Sequence, residues 1–404
     1  MDIGHVVVLM LENRSFDSML GRLRPAGAGF DGVPNGWANP FHDPPRPQQT
    51  VPAWNDPAMT AATAVIPDPD PGESFADITM QIRGLFLDAP MGGFVDNYMR
   101  QKPGATPRDR RAPMHCFTPA QVPVLSRLAT EFGVSDRWFA AAPCQTWPNR
   151  FFVHCGTAGG YVNNAPAQLP FAMPTVFSRL AAAGQDWRLY FHDVPQAAAL
   201  SDIWFDVPAH FSRFARFATD AAAGRLPAYS FIEPRYFTDP IAGLLPNDQH
   251  PPHNVADGEQ LIAAVYNALR AGPGWRRTLL IVTYDEHGGC CDHVTPPAAT
   301  PPGGPYPDGF RFDRFGVRVP AVIVSPWVRP GSVLRPPGEV PFDHTTIIAT
   351  LRALWNFAPL TARDAAAPDL LALLADRPDN DGPARIDPPP LPPPAPAALA
   401  AARA

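Results

Sequence analysis

Two places in this sequence put adjacent oxygen-donor side chains directly after an apolar run. Val6–Leu11 leads into Glu12 and Asn13, and the stretch TLLIVTYDEHGG, Thr278–Gly289, presents Asp285, Glu286 and His287 before breaking at Gly288–Gly289. Two neighbouring acids repel each other unless something cationic lies beside them, and a divalent metal is the simplest candidate. Glu, Asn and Asp are hard oxygen donors, which suit Ca, Mg or Mn better than a thiolate-type zinc site. Each pair also has a plainer reading. Asn13 or Ser15 could cap a helix with Asp17 favouring its dipole, and Asp285–Glu286 could be a solvated turn. The two glycines and the buried character of Leu279–Val282 weigh against the turn, because they set both acids at the mouth of a sheet, where open α/β sheets bind ligands.

The elements that must position these groups follow from hydrophobic pattern. Strand-like runs occur at Val6–Leu11, Phe151–Val153, Arg188–Phe191, Tyr229–Ile232, Leu279–Thr283 and Val319–Val324. Helical spacing lies between several of them, at 122–132, at 174–184 with Gly184 as a stop, and at 257–272, where Asp257 can cap and Gly272 can end the helix. Alternating strands and helices predict an α/β fold, a mostly parallel central sheet with helices on both faces.

More of the chain carries motifs in a fixed order: ENRSFD after the first strand, TWPNRFF at Thr146–Phe152, YFHD at Tyr190–Asp193, FIEPRYF at Phe231–Phe237, NDQHPPHNVADGEQLI at Asn247–Ile262, YDEHGG, and FDHTTI at Phe342–Ile347. Together these resemble the bacterial phosphoesterase family of phospholipases C and related acid phosphatases, over roughly residues 1 to 360. The resemblance implies an alkaline-phosphatase-like sandwich and one divalent metal ion (Ca, Mg, Mn or Zn) on Glu12, Asn13, Asp285 and Glu286. It also implies Thr146 as a metal-bound nucleophile, in the place before Pro148-Asn149-Arg150 where the family has Ser or Thr. On residue pattern alone Thr146 is a cap or turn residue. His250 matches a family active-site histidine, with His192 next; His287, His293 and His344 are weaker, because Asp–His pairs can simply pin loops. Three departures stand out. Glu73 and Ser18 occupy places where the family commonly has histidine, and Cys144-Gln145 replaces the commoner Gly-Pro before the nucleophile.

These residues point to a phosphoric ester hydrolase resembling phospholipase C, working through a phosphothreonine intermediate on a phosphate ester, with phospholipid as a candidate substrate. The alternatives are a phosphomonoesterase for small soluble substrates and a non-catalytic phosphate- or phospholipid-binding protein on the same scaffold.

Composition narrows the rest. The formal net charge of −6 gives no basic excess of the kind nucleic-acid binders show. Five cysteines without CxxC spacing read as free thiols, not a disulfide framework. No apolar run reaches the length of a transmembrane helix. The first strand begins almost at Met1, which leaves no signal peptide and predicts a cytoplasmic protein unless an N-terminal signal has been trimmed. The 54 prolines gather in loops at 40–71 and 295–308 and in the tail. The expected organisation is a catalytic domain over 1–375 followed by a disordered Pro/Ala-rich tail over 376–404. The pattern leaves the oligomeric state open.

Overall fold

The two strands ahead of the acidic pairs pack side by side. In the computed structural model, which describes residues 1–27, 29–44, 47–87, 89–101, 106, 109–394 and 399, β1 (His5–Leu11) runs parallel to the strand Thr278–Tyr284, in register from His5 opposite Thr278 to Leu11 opposite Tyr284. Glu12 and Asp285 therefore leave the sheet together. The full sheet adds β2 (Gly133–Ser135), β3 (Trp187–Phe191), β4 (Phe211–Arg213) and β5 (Tyr229–Glu233) before β6 (Thr278–Tyr284), then β7 (Ala321–Val324) and β8 (Ser332–Val333). Its spatial order is β8-β2-β7-β6-β1-β5-β3-β4. Within it only β7 runs against the others, antiparallel to both β6 and β2.

Side chains alternate faces along a strand. Val6, Val8 and Met10 share one face of β1, Val7, Leu9 and Leu11 the other, and all six are inaccessible to solvent. Both faces of the sheet must then be covered, and they are covered by helices. These include α1 (Phe16–Met19), α2 (Phe75–Arg83), α3 (Pro123–Glu131), α4 (Thr146–Cys155), α5 (Val176–Ala182), α6 (Val255–Ala271) and α7 (Thr345–Trp355). Leu125, Leu128, Val153, Phe177, Ile262, Val265 and Ile347 from these helices join the strands in one core. The result is a mixed α/β fold with a large central sheet flanked by helices.

Two expectations are corrected. Phe151–Val153 is not a strand but the middle of α4, where Phe151, Phe152 and Val153 are buried as part of a helix that is covered all round. A short apolar run is ambiguous between a buried strand and a buried helix, and Gly156, left-handed at φ 68°, ends this one as a helix. The N-cap of α6 is Asn254, whose side chain accepts from the Ala256 amide, and Asp257 lies in the first turn. Gly184, at φ 71°, does follow the end of α5.

A buried carboxylate links two helices. Glu259 of α6 accepts from the backbone amides of Val124 and Leu125, capping α3, whose own N-cap residue Val122 has no side-chain acceptor. The proline-rich C-terminal segment also rests on α6: Tyr266 Oη donates to the Pro383 carbonyl, Asn267 Nδ2 to that of Ile386, and Gln260 Nε2 to that of Pro389, while Ile386 is buried in the main core. The last part of the expected tail, 395–398 and 400–404, lies outside the described residues.

Candidate active site

Each residue of ENRSFD has a separate structural task at the carboxyl end of β1. Asn13 turns the chain with φ 59°, a left-handed conformation that asparagine tolerates better than most residues. Arg14 is wholly buried and donates to the carbonyls of Gln249 and Ile66, tying two loops to the strand end. Ser15 caps α1 through the Ser18 amide and donates its hydroxyl to the Cys291 carbonyl. Asp17 pairs with Arg318 at 3.0 Å and with His293 at 2.6 Å. His293 thus ties the loop that follows Asp292 to α1, and His344 contacts the Asp285 carbonyl at 2.6 Å. His287 is buried against Gln81 and Glu286.

Around these anchors the acids converge. The Asn13 amide donates to Asp285 Oδ1 at 3.0 Å, and Asn13 Nδ2 donates to Glu286 Oε1 and to Glu73 Oε1, each at 2.6 Å. Gly288, at φ 59°, lets the chain pass directly beneath Asn13, since a Cβ there would lie 2.1 Å from the Asn13 carbonyl oxygen. On the other side of the cluster, Arg150 of α4 reaches Glu12 and Asp285, both at 3.3 Å, and donates to the carbonyls of Met10 and Leu11. Gln196 Nε2 donates to Glu12 Oε1 at 2.6 Å. The Glu12 amide donates to the Asp248 carbonyl, which brings the loop of His250 to the same place.

Crowding four carboxylates into a buried space is electrostatically costly. Burial pushes Glu12 up to about 8, with Asp285 and Asp248 adding to the rise and Arg150 opposing it. Burial likewise pushes Glu73 up to about 7, with His250 opposing. Asp285 is raised by burial against the pull of Arg150, and Glu286 is raised well above the usual range by burial and then by Glu73 and Asp285. Burial disfavours charge on His250, but Glu73, Asp70, Glu12 and Asp248 outweigh it and push the imidazole up to about 10. His250 therefore carries its proton at neutral pH. Its Nε2 lies 3.7 Å from Glu73 Oε1, the residue that stands where the family commonly has histidine.

The donor set fits a divalent cation. Asn13 Oδ1 is buried and has no hydrogen-bond partner among the described residues, although both acids beside it accept hydrogen bonds from Nδ2 of the same amide. A buried acceptor left unpaired costs about 1–3 kcal/mol, and a cation bound by hard oxygens removes that cost. Asp70, Glu73 and His250 form a second set of ligand atoms, all within 4.8 Å of one another.

Thr146 is the first residue of α4, with Gln145 as N-cap. Asn149 holds the turn before it by exchanging hydrogen bonds with Ala142 and donating to the Cys144 carbonyl. Gln145 and Trp147 are clamped by Asn164, at 3.0 and 2.7 Å. The Cys144-Gln145 departure is thus accommodated by side-chain bracing. A helix N-terminus presents free amides and a positive dipole end, which suits an anion.

One cavity of about 810 Å³ gathers these parts, lined by Glu12, Thr146, Gln196, Tyr236, Asp248 and His250, among others. Of the expected residues, Glu12, Thr146 and His250 meet in it, with Asn13, Asp285 and Glu286 buried behind. His192 stands apart: its ring stacks on Phe214, its Nδ1 meets the Glu233 carbonyl at 3.0 Å, and burial lowers it to about 4. The sequence reading missed Asp70, Asp248 and Gln196. Asp248 lies inside the Asn247–Ile262 motif and Gln196 three residues past YFHD, while Asp70 sits in a proline-rich loop with no periodic signal.

Residues 3–358 match the profile described as the Phosphoesterase family. Non-specific phospholipase C6 of Arabidopsis thaliana is 39% identical over 386 residues, covering 90% of this chain and 71% of the relative. Phospholipase C B of Mycobacterium tuberculosis is 29% identical over 423 residues, covering 91% and 77%. Among solved structures, a protein in the alkaline phosphatase superfamily from Vibrio parahaemolyticus aligns with a TM-score of 0.38 at 12% identity, covering 62% of this chain and 65% of that one.

Proposed function

This chain belongs to the Phosphoesterase family, and from that premise we propose that it is a phospholipase C-like hydrolase that cleaves a phosphodiester of the phospholipid headgroup type through a phosphothreonine intermediate. The observation that carries this reading is the meeting of Thr146, Glu12 and His250 in one cavity, with the unpaired Asn13 Oδ1 behind it.

Glu12, Asn13, Asp285, Glu286 and Thr146 are the residues that would hold a divalent cation. Bound there, it would favour ionisation of the threonine hydroxyl and neutralise charge on phosphorus-bound oxygens. The chain's own groups supply the rest. Thr146 Oγ1 releases its proton to solvent in the cavity and attacks phosphorus; the P–Oγ bond forms and the bond to the leaving alkoxide breaks. His250, protonated at neutral pH, gives its proton to that alkoxide. The N-terminus of α4 steadies the phosphoryl oxygens. Water then attacks phosphorus and loses a proton to the now neutral His250. The P–Oγ bond breaks, and Thr146 Oγ1 takes a proton back from solvent. Arg150 fixes Glu12 and Asp285 and opposes the rise that burial imposes on both. Glu73 beside His250 adds a negative charge to the site, which disfavours a dianionic monoester relative to a monoanionic diester.

The test is hydrolysis of p-nitrophenylphosphorylcholine beside p-nitrophenyl phosphate, with Thr146→Ala as control and acid-quenched peptide mass spectrometry for the adduct on Thr146, phosphorylcholine from the diester or phosphate from the monoester. Diester turnover lost in the variant, with phosphorylcholine trapped on Thr146, is the expected result. Monoester turnover alone would assign a phosphatase. Absence of Thr146-dependent turnover of either substrate across added divalent metals would leave a binding protein.

A further inference from the structure

The surface around the cavity mouth is apolar to an unusual degree. Leu169, Val194, Trp204 and Phe237 line the cavity and are also exposed to solvent. Two more exposed side chains lie on the same loops. Phe205, next to Trp204, is 98% exposed, and Ile241 is 95% exposed in the turn closed by the Asp239–Leu244 bridge. Val207 and Leu244 are exposed as well. Eight of the thirteen large exposed hydrophobics among the described residues thus belong to these loops. A soluble surface scatters such residues singly, and their concentration marks an interaction site.

We propose that this rim is an interfacial docking face that seats the protein on a zwitterionic phospholipid surface, a proposal that rests on the phosphodiesterase reading of the cavity it surrounds. Position argues for lipid over protein: a protein partner here would plug the cavity, whereas a lipid layer feeds it. Three of the four acids of these loops, all but Asp206, are occupied by hydrogen bonds within the protein. Asp193 accepts from the amides of Val194, Tyr236 and Phe237, and Asp239 from those of Ile241 and Ala242. Asp202 is occupied by Thr175 and Ser178. Trp204 satisfies its indole N–H internally, on the Ala198 carbonyl, leaving its ring as apolar surface. Side chains of this kind, aromatic and aliphatic with polar atoms satisfied, partition into the headgroup–acyl boundary. The net charge of −6 offers no attraction to an anionic surface, so the occupant is zwitterionic and its binding is insensitive to salt.

The test uses Phe205→Ser with Ile241→Ser, neither of which lines the cavity. In a Thr146→Ala background, co-sedimentation with phosphatidylcholine vesicles reads binding without turnover. Loss of two buried apolar side chains predicts about a hundredfold weaker partitioning, unchanged by raised salt in either protein. In the active background the pair should leave turnover of dissolved p-nitrophenylphosphorylcholine as it is and lower hydrolysis of vesicle phosphatidylcholine. Unaltered vesicle binding would overturn the proposal. So would a concentration-dependent dimer in light scattering that the two substitutions abolish, since that assigns the face to a second copy. Failure of the wild type to cleave either substrate would sink the phosphodiesterase reading alone, because the vesicle binding of the Thr146→Ala protein still decides the face.

Discussion

Gly288→Ala isolates the close approach that holds Asn13 in place. The added Cβ would lie 2.1 Å from the Asn13 carbonyl oxygen, where real Cβ contacts essentially never fall below 3.0 Å, so the two segments must part by at least the difference, about 0.9 Å. Alanine at φ 59° adds roughly 1–2 kcal/mol of backbone strain. Asn13 donates to Asp285, Glu286 and Glu73, so the displacement passes directly to the acid cluster. A misplacement of about 1 Å can lower turnover on the order of a hundredfold. Gly184→Ala separates the two effects, because Gly184 has φ 71° and open space where its Cβ would stand. Both variants should lose about 1–2 kcal/mol in denaturant unfolding, with a further loss in Gly288→Ala from the contact. Only Gly288→Ala should lose turnover of p-nitrophenylphosphorylcholine. Turnover within about threefold of wild type, under 1 kcal/mol of barrier, would refute the argument that this contact sets the geometry of the site.

Arg150→Met leaves Glu12 and Asp285 buried without their guanidinium. The metal-free protein should lose about 3–5 kcal/mol in chemical unfolding, and added divalent cation should recover part of it. EDTA should abolish turnover and lower the melting temperature of the wild type, with Asn13→Ala reducing the metal-dependent part of the melting shift. Glu73→His removes a negative charge beside His250, so kcat/KM for p-nitrophenyl phosphate should rise about tenfold or more relative to the diester, read from parallel kinetics. For His293, burial works against the charge, but hydrogen bonds to Asp17 and Asp31 prevail and push it up to about 9. A folded pKa above the unfolded value means stability that is fully present below about 6.5 and lost as pH rises through about 9. His293→Gln should flatten that part of a melting-temperature profile.

Much of the site was readable because it follows strand ends. Periodicity alone located β1 and β6, and their parallel neighbourhood brings Glu12 beside Asp285 without any knowledge of the loops. Helix α4 was misread because Phe151–Val153 is apolar on every side, and a helix buried all round loses the amphipathic period that would identify it. Asp70 and Gln196 could not be found by pattern, and Asp248 carried no mark within its motif to set it apart from its neighbours. They arrive on loops whose placement depends on long-range contacts such as those of Arg14 to Ile66 and Gln249. Arg14 itself, internal to ENRSFD, gave no sign that it was a structural tie.

The three carbonyls through which the C-terminal segment meets α6 belong to Pro383, Ile386 and Pro389. They are spaced three apart, which is the residue repeat of a polyproline II turn, so they return to one side of the strand. That conformation leaves its carbonyls without internal partners, and helix side chains are free to claim them. A stretch that composition marks as dispensable is therefore a seam. A recombinant chain ended at 375 would strand Tyr266, Asn267 and Gln260 and uncover the site of Ile386, whereas one ended at 394 would keep the seam closed.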